Sequence, residues 1–127
     1  MSEPLALIVE DNEQLATTFA EAAQEAGYKT EIVRAGDAAL DRLASLVPDL
    51  VILDLHLPRV QGSEVLEHIR SQPRLSSTQV ILSTAHAGEA AMLQEKADLV
   101  LLKPIAYEQL RDLAARLRRG LTTPGEA

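Results

Sequence analysis

The stretch from Leu50 to Pro58 limits what this chain can fold into more than any other. Leu50, Val51, Ile52 and Leu53 follow one another without a polar break, and Asp54 ends the run. Alternation would mark a strand with one wet face. An unbroken aliphatic run predicts a strand buried on both faces, the kind found in parallel sheets covered by helices. Asp54 then lies at the carboxyl end of that strand, the edge where ligands bind in open α/β sheets. Leu55, His56, Leu57 and Pro58 lead into a loop that Pro58 and Gly62 punctuate.

The same grammar recurs along the chain. Leu5 to Val9 is a second unbroken apolar run, followed by Glu10, Asp11 and Asn12. Asp11 or Asn12 can cap the helix predicted from Glu13 to Ala26, where Leu15, Phe19, Ala22, Ala23 and Ala26 keep helical spacing and Gly27 stops it. Lys29 to Val33 alternates and predicts an edge strand. Gly36 and Asp37 open a helix with a stripe of Ala38, Ala39, Leu40, Leu43 and Leu46, which Pro48 ends. After the central strand, Ser63 to Arg70 predicts a short helix and Pro73 to Ser77 a polar loop. Val80 to Leu82 is a fourth strand ending at Ser83-Thr84, and Gly88 to Lys96 a short, weak helix. Leu99 to Leu102 is a fifth strand ending at Lys103-Pro104. Tyr107 to Arg119 is the last helix, with arginines in its final turns where cations suit the dipole, and Thr122 to Ala127 reads as a frayed tail. Strict alternation of strand and helix implies an α/β fold, a doubly wound parallel sheet of five strands with helices on both faces.

A chain of 127 residues suffices for one domain and not for two, so residues 1–127 read as a single domain with its core from about 5 to 119. There are no cysteines, which removes disulfides and thiol chemistry. No apolar run approaches the ~20 residues of a membrane span, and Met1 to Pro4 lacks the basic start of a signal peptide, so a cytoplasmic protein is expected. The net charge is −7, from 19 acidic and 12 basic residues, which repels phosphate backbones. Phe19, Tyr28 and Tyr107 are too few to form a stacking platform, and no nucleic-acid partner is expected.

Polar groups collect at the carboxyl ends of four strands: Glu10 and Asp11, Asp54, Thr84, and Lys103. A doubly wound sheet brings these ends to one switch point. Three carboxylates in one cleft repel each other unless a cation neutralises them, and a hard divalent ion such as Mg²⁺ suits them. Lys103 offers a compact charge and Thr84 a hydroxyl for phosphoryl oxygens, leaving Asp54 as a nucleophile that can form an aspartyl phosphate. Taken singly, each residue has an ordinary reading as a turn, cap or strand-end group; their joint placement carries the inference.

With those residues in view, the chain from about Leu5 to Leu117 resembles the receiver domain of two-component response regulators. The resemblance implies a flavodoxin-like three-layer sandwich with strand order 2-1-3-4-5. It implies that Asp54 is the phosphoacceptor and that Asp11 and Asp54 ligate Mg²⁺ (or Mn²⁺) directly. Glu10 would act mainly through water, and His56 would contribute its backbone carbonyl. Thr84, followed by Ala85, matches the switch hydroxyl, and Lys103-Pro104 matches a Lys-Pro pair commonly cis in the family. The phosphoryl donor would be a phosphohistidine on a sensor histidine kinase or phosphotransfer protein. The output would be an unidentified downstream protein bound by a monomer or weak dimer, with no substrate turned over beyond the chain's own phosphate. His56 and His86 stand two positions beyond Asp54 and Thr84, where receivers tune phosphate hydrolysis. They are expected to set a pH-dependent lifetime, since imidazole titrates near ~6.5; two plain exposed loop histidines are the other reading.

The chain departs from the family pattern in two places. Val100 stands where an aromatic switch residue is usual, and a β-branched aliphatic cannot swing inward as a ring does. The interval from Thr84 to Lys103 is about one helical turn short, and Lys96 stands where a Gly usually ends the helix, so that helix is expected to be short and poorly capped. These departures lend some support to an alternative, a receiver-fold binding module not controlled by phosphorylation; the intact Glu10-Asp11 pair, Asp54, Thr84 and Lys103 argue against it. A Mg²⁺-dependent phosphohydrolase would need an acid where His56 stands and a cap domain. A flavodoxin would need a phosphate-binding loop where the acidic pair stands.

Overall fold

The structure, a computed structural model, describes residues 3–120. Within them five strands alternate with five helices. These are β1 (Leu5–Val9), α1 (Glu13–Glu25), β2 (Lys29–Val33), α2 (Gly36–Leu43), β3 (Leu50–Asp54), α3 (Gly62–Ser71), β4 (Gln79–Thr84), α4 (Ala87–Leu93), β5 (Leu99–Leu102) and α5 (Tyr107–Arg119). Every pairing is parallel and the sheet runs β2-β1-β3-β4-β5, the order expected. The expected tail from Thr122 to Ala127 lies outside the described residues.

Successive side chains of a strand point to opposite faces, so the apolar strands feed two cores. Leu7, Val9, Val51, Leu53, Val80 and Leu82 meet Leu43 of α2 and Val65, Leu66 and Ile69 of α3. Ala6, Ile8, Leu50, Ile52 and Ile81 meet Phe19 and Ala23 of α1 and Leu110 and Ala114 of α5. β3 is buried along its whole length, which is why its sequence shows no alternation. β2 is an edge strand, and its exposed positions account for its mixed pattern.

Local signals place the helix ends. Asn12, of the two candidate caps, takes the role: its side chain accepts a bond from the Leu15 amide at 2.9 Å. Gly27 adopts φ +105, a left-handed turn that releases the chain from α1 into β2. α4 ends at Leu93 rather than at Lys96, so its predicted extent is corrected to seven residues, none of them buried. No glycine is available to reverse the chain there. Arg70 of α3 holds the exit instead, donating to the Lys96 carbonyl at 2.7 Å and to Asp98 at 3.0 Å. The loop predicted from Pro73 to Ser77 is not wholly polar either. Pro73–Leu75 makes a 3-10 turn that buries Leu75 completely, filling the gap between α3 and β4. Among the described residues no helix is long and apolar enough to cross a membrane.

Tyr28 ties the α1–β2 turn to the last helix. Its hydroxyl donates to the Ala114 carbonyl at 3.0 Å, joining the start of β2 to α5. Burial, helped by the Asp49 charge, pushes the phenol up to about 12 from 10.0. Ionisation is therefore disfavoured in the fold. The stability it contributes is present below pH 10 and lost as the pH rises to about 12. The chain should lose about 2–3 kcal/mol across that window from this group alone. Tyr28→Phe should forfeit about 1 kcal/mol at neutral pH, with the hydrogen bond, and lack that slope. Urea unfolding of both chains against pH should give curves that cross; parallel curves would sink the assignment.

Candidate functional site

The carboxyl ends of β1, β3, β4 and β5 form one edge, and the sheet register decides which side chains meet there. Asp54 pairs with Ser83 across β3 and β4, and Thr84 pairs with Leu102 across β4 and β5. Lys103 therefore leaves β5 beside Thr84, whose carbonyl accepts the Lys103 amide at 2.8 Å. The Lys103–Pro104 peptide is cis, as expected. Glu10 leaves β1 one strand from Asp54 and is anchored through its amide to the Val33 carbonyl of β2 at 3.1 Å.

The Lys103 ammonium sits between two carboxylates, 3.2 Å from Glu10 and 3.3 Å from Asp54. Glu10 and Asp54 are only 1% and 4% exposed, while Asp11 is exposed at the rim. Carboxylate oxygens of Glu10, Asp11 and Asp54 lie within 4.8 Å of one another. Burial holds the Glu10 carboxyl above the usual range; the Asn12 amide pulls it back, and the Asp54 charge raises it again. Burial works against the Lys103 ammonium, yet the Asp54 and Glu10 charges outweigh it and keep its pKa above the ordinary lysine value. Three close acids facing one ammonium are under-neutralised, and their donors are all hard oxygens. This set fits a hard divalent cation.

The loop after Asp54 is fastened tightly. The Asp54 carboxylate accepts from the His56 amide at 3.2 Å, Leu55 donates to the Ser83 carbonyl at 3.1 Å, and the Gly62 amide donates to the Leu55 carbonyl at 2.9 Å. A Cβ on Gly62 would lie 2.1 Å from the Asp54 carbonyl oxygen, so only glycine lets α3 start this close to the acceptor. Arg59 takes φ 67 in a tight turn closed by the Val60 amide on the Pro58 carbonyl at 2.8 Å, and its guanidinium pairs with Asp37 at 2.8 Å.

Thr84 is fully buried, its hydroxyl accepting from the His86 amide at 3.1 Å. That hydroxyl also makes a long bond, 3.4 Å, to Glu89. Glu89 is a neighbour that sequence reasoning missed. It takes a hydrogen bond from His56 at 2.7 Å, which, with the charges of His56 and His86, holds its carboxyl below the usual range. The available signal was spacing: His86 and Glu89 are three apart at the start of a helix and so share a face. His56 and His86 meet edge to face, ring centres 5.0 Å apart, so the two candidate tuning residues are brought together beside the acceptor. His68, to which no role is assigned, has a buried Nε2 without a hydrogen-bond partner.

The family model described as the response regulator receiver domain matches residues 6–115. The chain belongs to that family. It is 36% identical over 123 residues to the sensory transduction protein RegX3 of Mycobacterium tuberculosis, an alignment covering 94% of this chain and 52% of RegX3. It is 35% identical over 103 residues to the polar-differentiation response regulator DivK of Brucella ovis, covering 79% and 84% of the two chains. The crystal structure of the signal receiver domain of a signal transduction histidine kinase from Syntrophus aciditrophicus superimposes with a TM-score of 0.83 at 32% identity, covering 95% of this chain and 96% of that one. The chain spans about half the length of RegX3, so this receiver matches one part of that regulator.

Receivers of two-component response regulators generally bind Mg²⁺ at an acidic pocket and work with histidine kinases or phosphotransfer proteins; Glu10, Asp11 and Asp54 make such a pocket here. This receiver keeps Val100 in the aromatic position. It pairs with Leu82, is partly buried and packs against the core on the α2–α3 side, so it fills the strand.

Proposed function

We propose that this receiver accepts a phosphoryl group on Asp54 from a phosphohistidine donor and that the modification shifts a protein-interaction face around β4, α4 and β5. One observation carries the reading: a buried carboxylate at the carboxyl end of β3 lies 3.3 Å from the Lys103 ammonium within a cluster of three acids. A Mg²⁺ ion held by Asp11, Asp54, the His56 carbonyl and, through water, Glu10 would neutralise phosphoryl charge when bound. An Asp54 oxygen bonds to phosphorus as the donor's phosphorus–nitrogen bond breaks, and the donor imidazole leaves with a proton. Lys103 holds the phosphoryl oxygens as a point charge. Thr84 turns its hydroxyl toward the same oxygens, giving up its long bond to Glu89, and α4, which buries no residue of its own, follows at low cost. The chain turns over no external substrate and acts in the cytoplasm.

Incubation with acetyl phosphate and Mg²⁺, followed by intact mass, tests this. The expected result is a gain of one phosphoryl group that Asp54→Ala abolishes. No gain would leave the second reading, a binding module outside phosphate control, which Val100 and the seven-residue α4 favour.

A further inference from the structure

We propose that His56, His86 and Glu89 form a binding site for a borderline divalent metal of the Zn²⁺ class, separate from the acidic pocket. One ligand atom from each lies within 4.8 Å of the other two. The His56 ring and the Glu89 carboxylate are already 2.7 Å apart, and the two imidazoles face each other with centres 5.0 Å apart.

The donor set decides the ion. Two imidazoles and one carboxylate match sites where three protein ligands hold Zn²⁺ and a fourth position stays open. Zinc bonds to N and O are about 2.0–2.2 Å, so ligand atoms around it sit about 3.3–3.5 Å from one another. The present separations are within 4.8 Å, and both histidines are exposed, which leaves their rings room to turn toward a shared ion. Imidazole favours Zn²⁺, Ni²⁺ or Cu²⁺ over Mg²⁺, whereas Glu10, Asp11 and Asp54 offer only hard oxygens. The two clusters therefore sort ions by chemistry.

Placement gives the site a consequence. His56 lies on the loop between β3 and α3, His86 immediately precedes α4, and Glu89 is in the first turn of α4. A metal here staples that loop to α4 across the mouth of the acidic pocket and takes Glu89 away from Thr84. α4 has no fully buried residue and packs on the core through the partly buried Leu93, so the staple would add a second restraint at its other end. The inference does not rest on Asp54 accepting a phosphoryl group: a chain that fails that test could still bind zinc.

Titration of the tag-free chain with Co²⁺ and then Zn²⁺, in saturating Mg²⁺, tests it. Expected is one equivalent of Co²⁺ with visible absorption, displaced by one of Zn²⁺. Affinity should fall tenfold or more in His86→Ala and in Glu89→Gln, both exposed-side substitutions whose folding circular dichroism can verify. Asp11→Asn and His68→Ala should bind as the parent does. Absence of saturable binding with Mg²⁺ present, loss of binding in Asp11→Asn, or unchanged binding in His86→Ala would each overturn the site.

Discussion

Lys103→Ala is expected to slow phosphotransfer to Asp54 by about a hundred- to a thousand-fold, the usual cost of deleting one group aimed at developing negative charge in a preorganised site. Lys103 is 3.2 Å from Glu10 and 3.3 Å from Asp54, on a strand end whose backbone is fixed to Thr84. It therefore reaches the phosphoryl position without searching for it. Without its charge, two carboxylates at 1% and 4% exposure face each other unbalanced, and the metal-free protein should lose about 3 kcal/mol. Added Mg²⁺ should recover much of that stability and little of the rate. Lys103→Arg separates the two roles. Its fork can satisfy both carboxylates but no longer presents a compact ammonium, so stability should return while transfer stays slow. Rates from intact mass and midpoints from urea unfolding measure both, and an unchanged transfer rate in Lys103→Ala would remove Lys103 from the machinery.

The second large effect belongs to a residue with no side chain. In Gly62→Ala the new Cβ would meet the Asp54 carbonyl oxygen at 2.1 Å and the Leu55 Cα at 2.7 Å. Both obstacles are backbone, so neither can rotate away. α3 must back off, or the end of β3 must move, and the substitution should cost about 3 kcal/mol or more. Because the displaced atoms include the acceptor's own backbone, phosphotransfer should also fall about a hundred-fold, as for other misplacements of about 1 Å. Gly88→Ala is the matched control. A Cβ there meets nothing within 4 Å, and Gly88 lies inside α4. Alanine should therefore stabilise the chain by about 0.5–1 kcal/mol. Equal effects from the two substitutions would show that close approach at Gly62 does not govern the site.

The same contrast separates what was legible in the residues from what was not. The unbroken runs at Leu5–Val9 and Leu50–Leu53 announced strands covered on both faces, and the structure buries them so. The missing glycine at Lys96 foretold a weak α4, though not that Arg70 would hold the chain's exit. The burial of Leu75 is not legible in the sequence, because one apolar residue in a polar loop has no period to betray it. Tyr28 read as one of three scattered aromatics, and its bond to Ala114 spans 86 positions.

Local patterning thus determined the element order, the two-sided burial of the sheet and the list of polar residues at strand ends. Those depend on periodicity and turn chemistry, which act between near neighbours along the chain. Tertiary structure alone decided which groups touch. The sheet register sets Lys103 between Glu10 and Asp54, and the start of α4 carries Glu89, 33 positions away in sequence, to His56. Distances of that kind come from how whole elements pack, and a linear sequence does not express them.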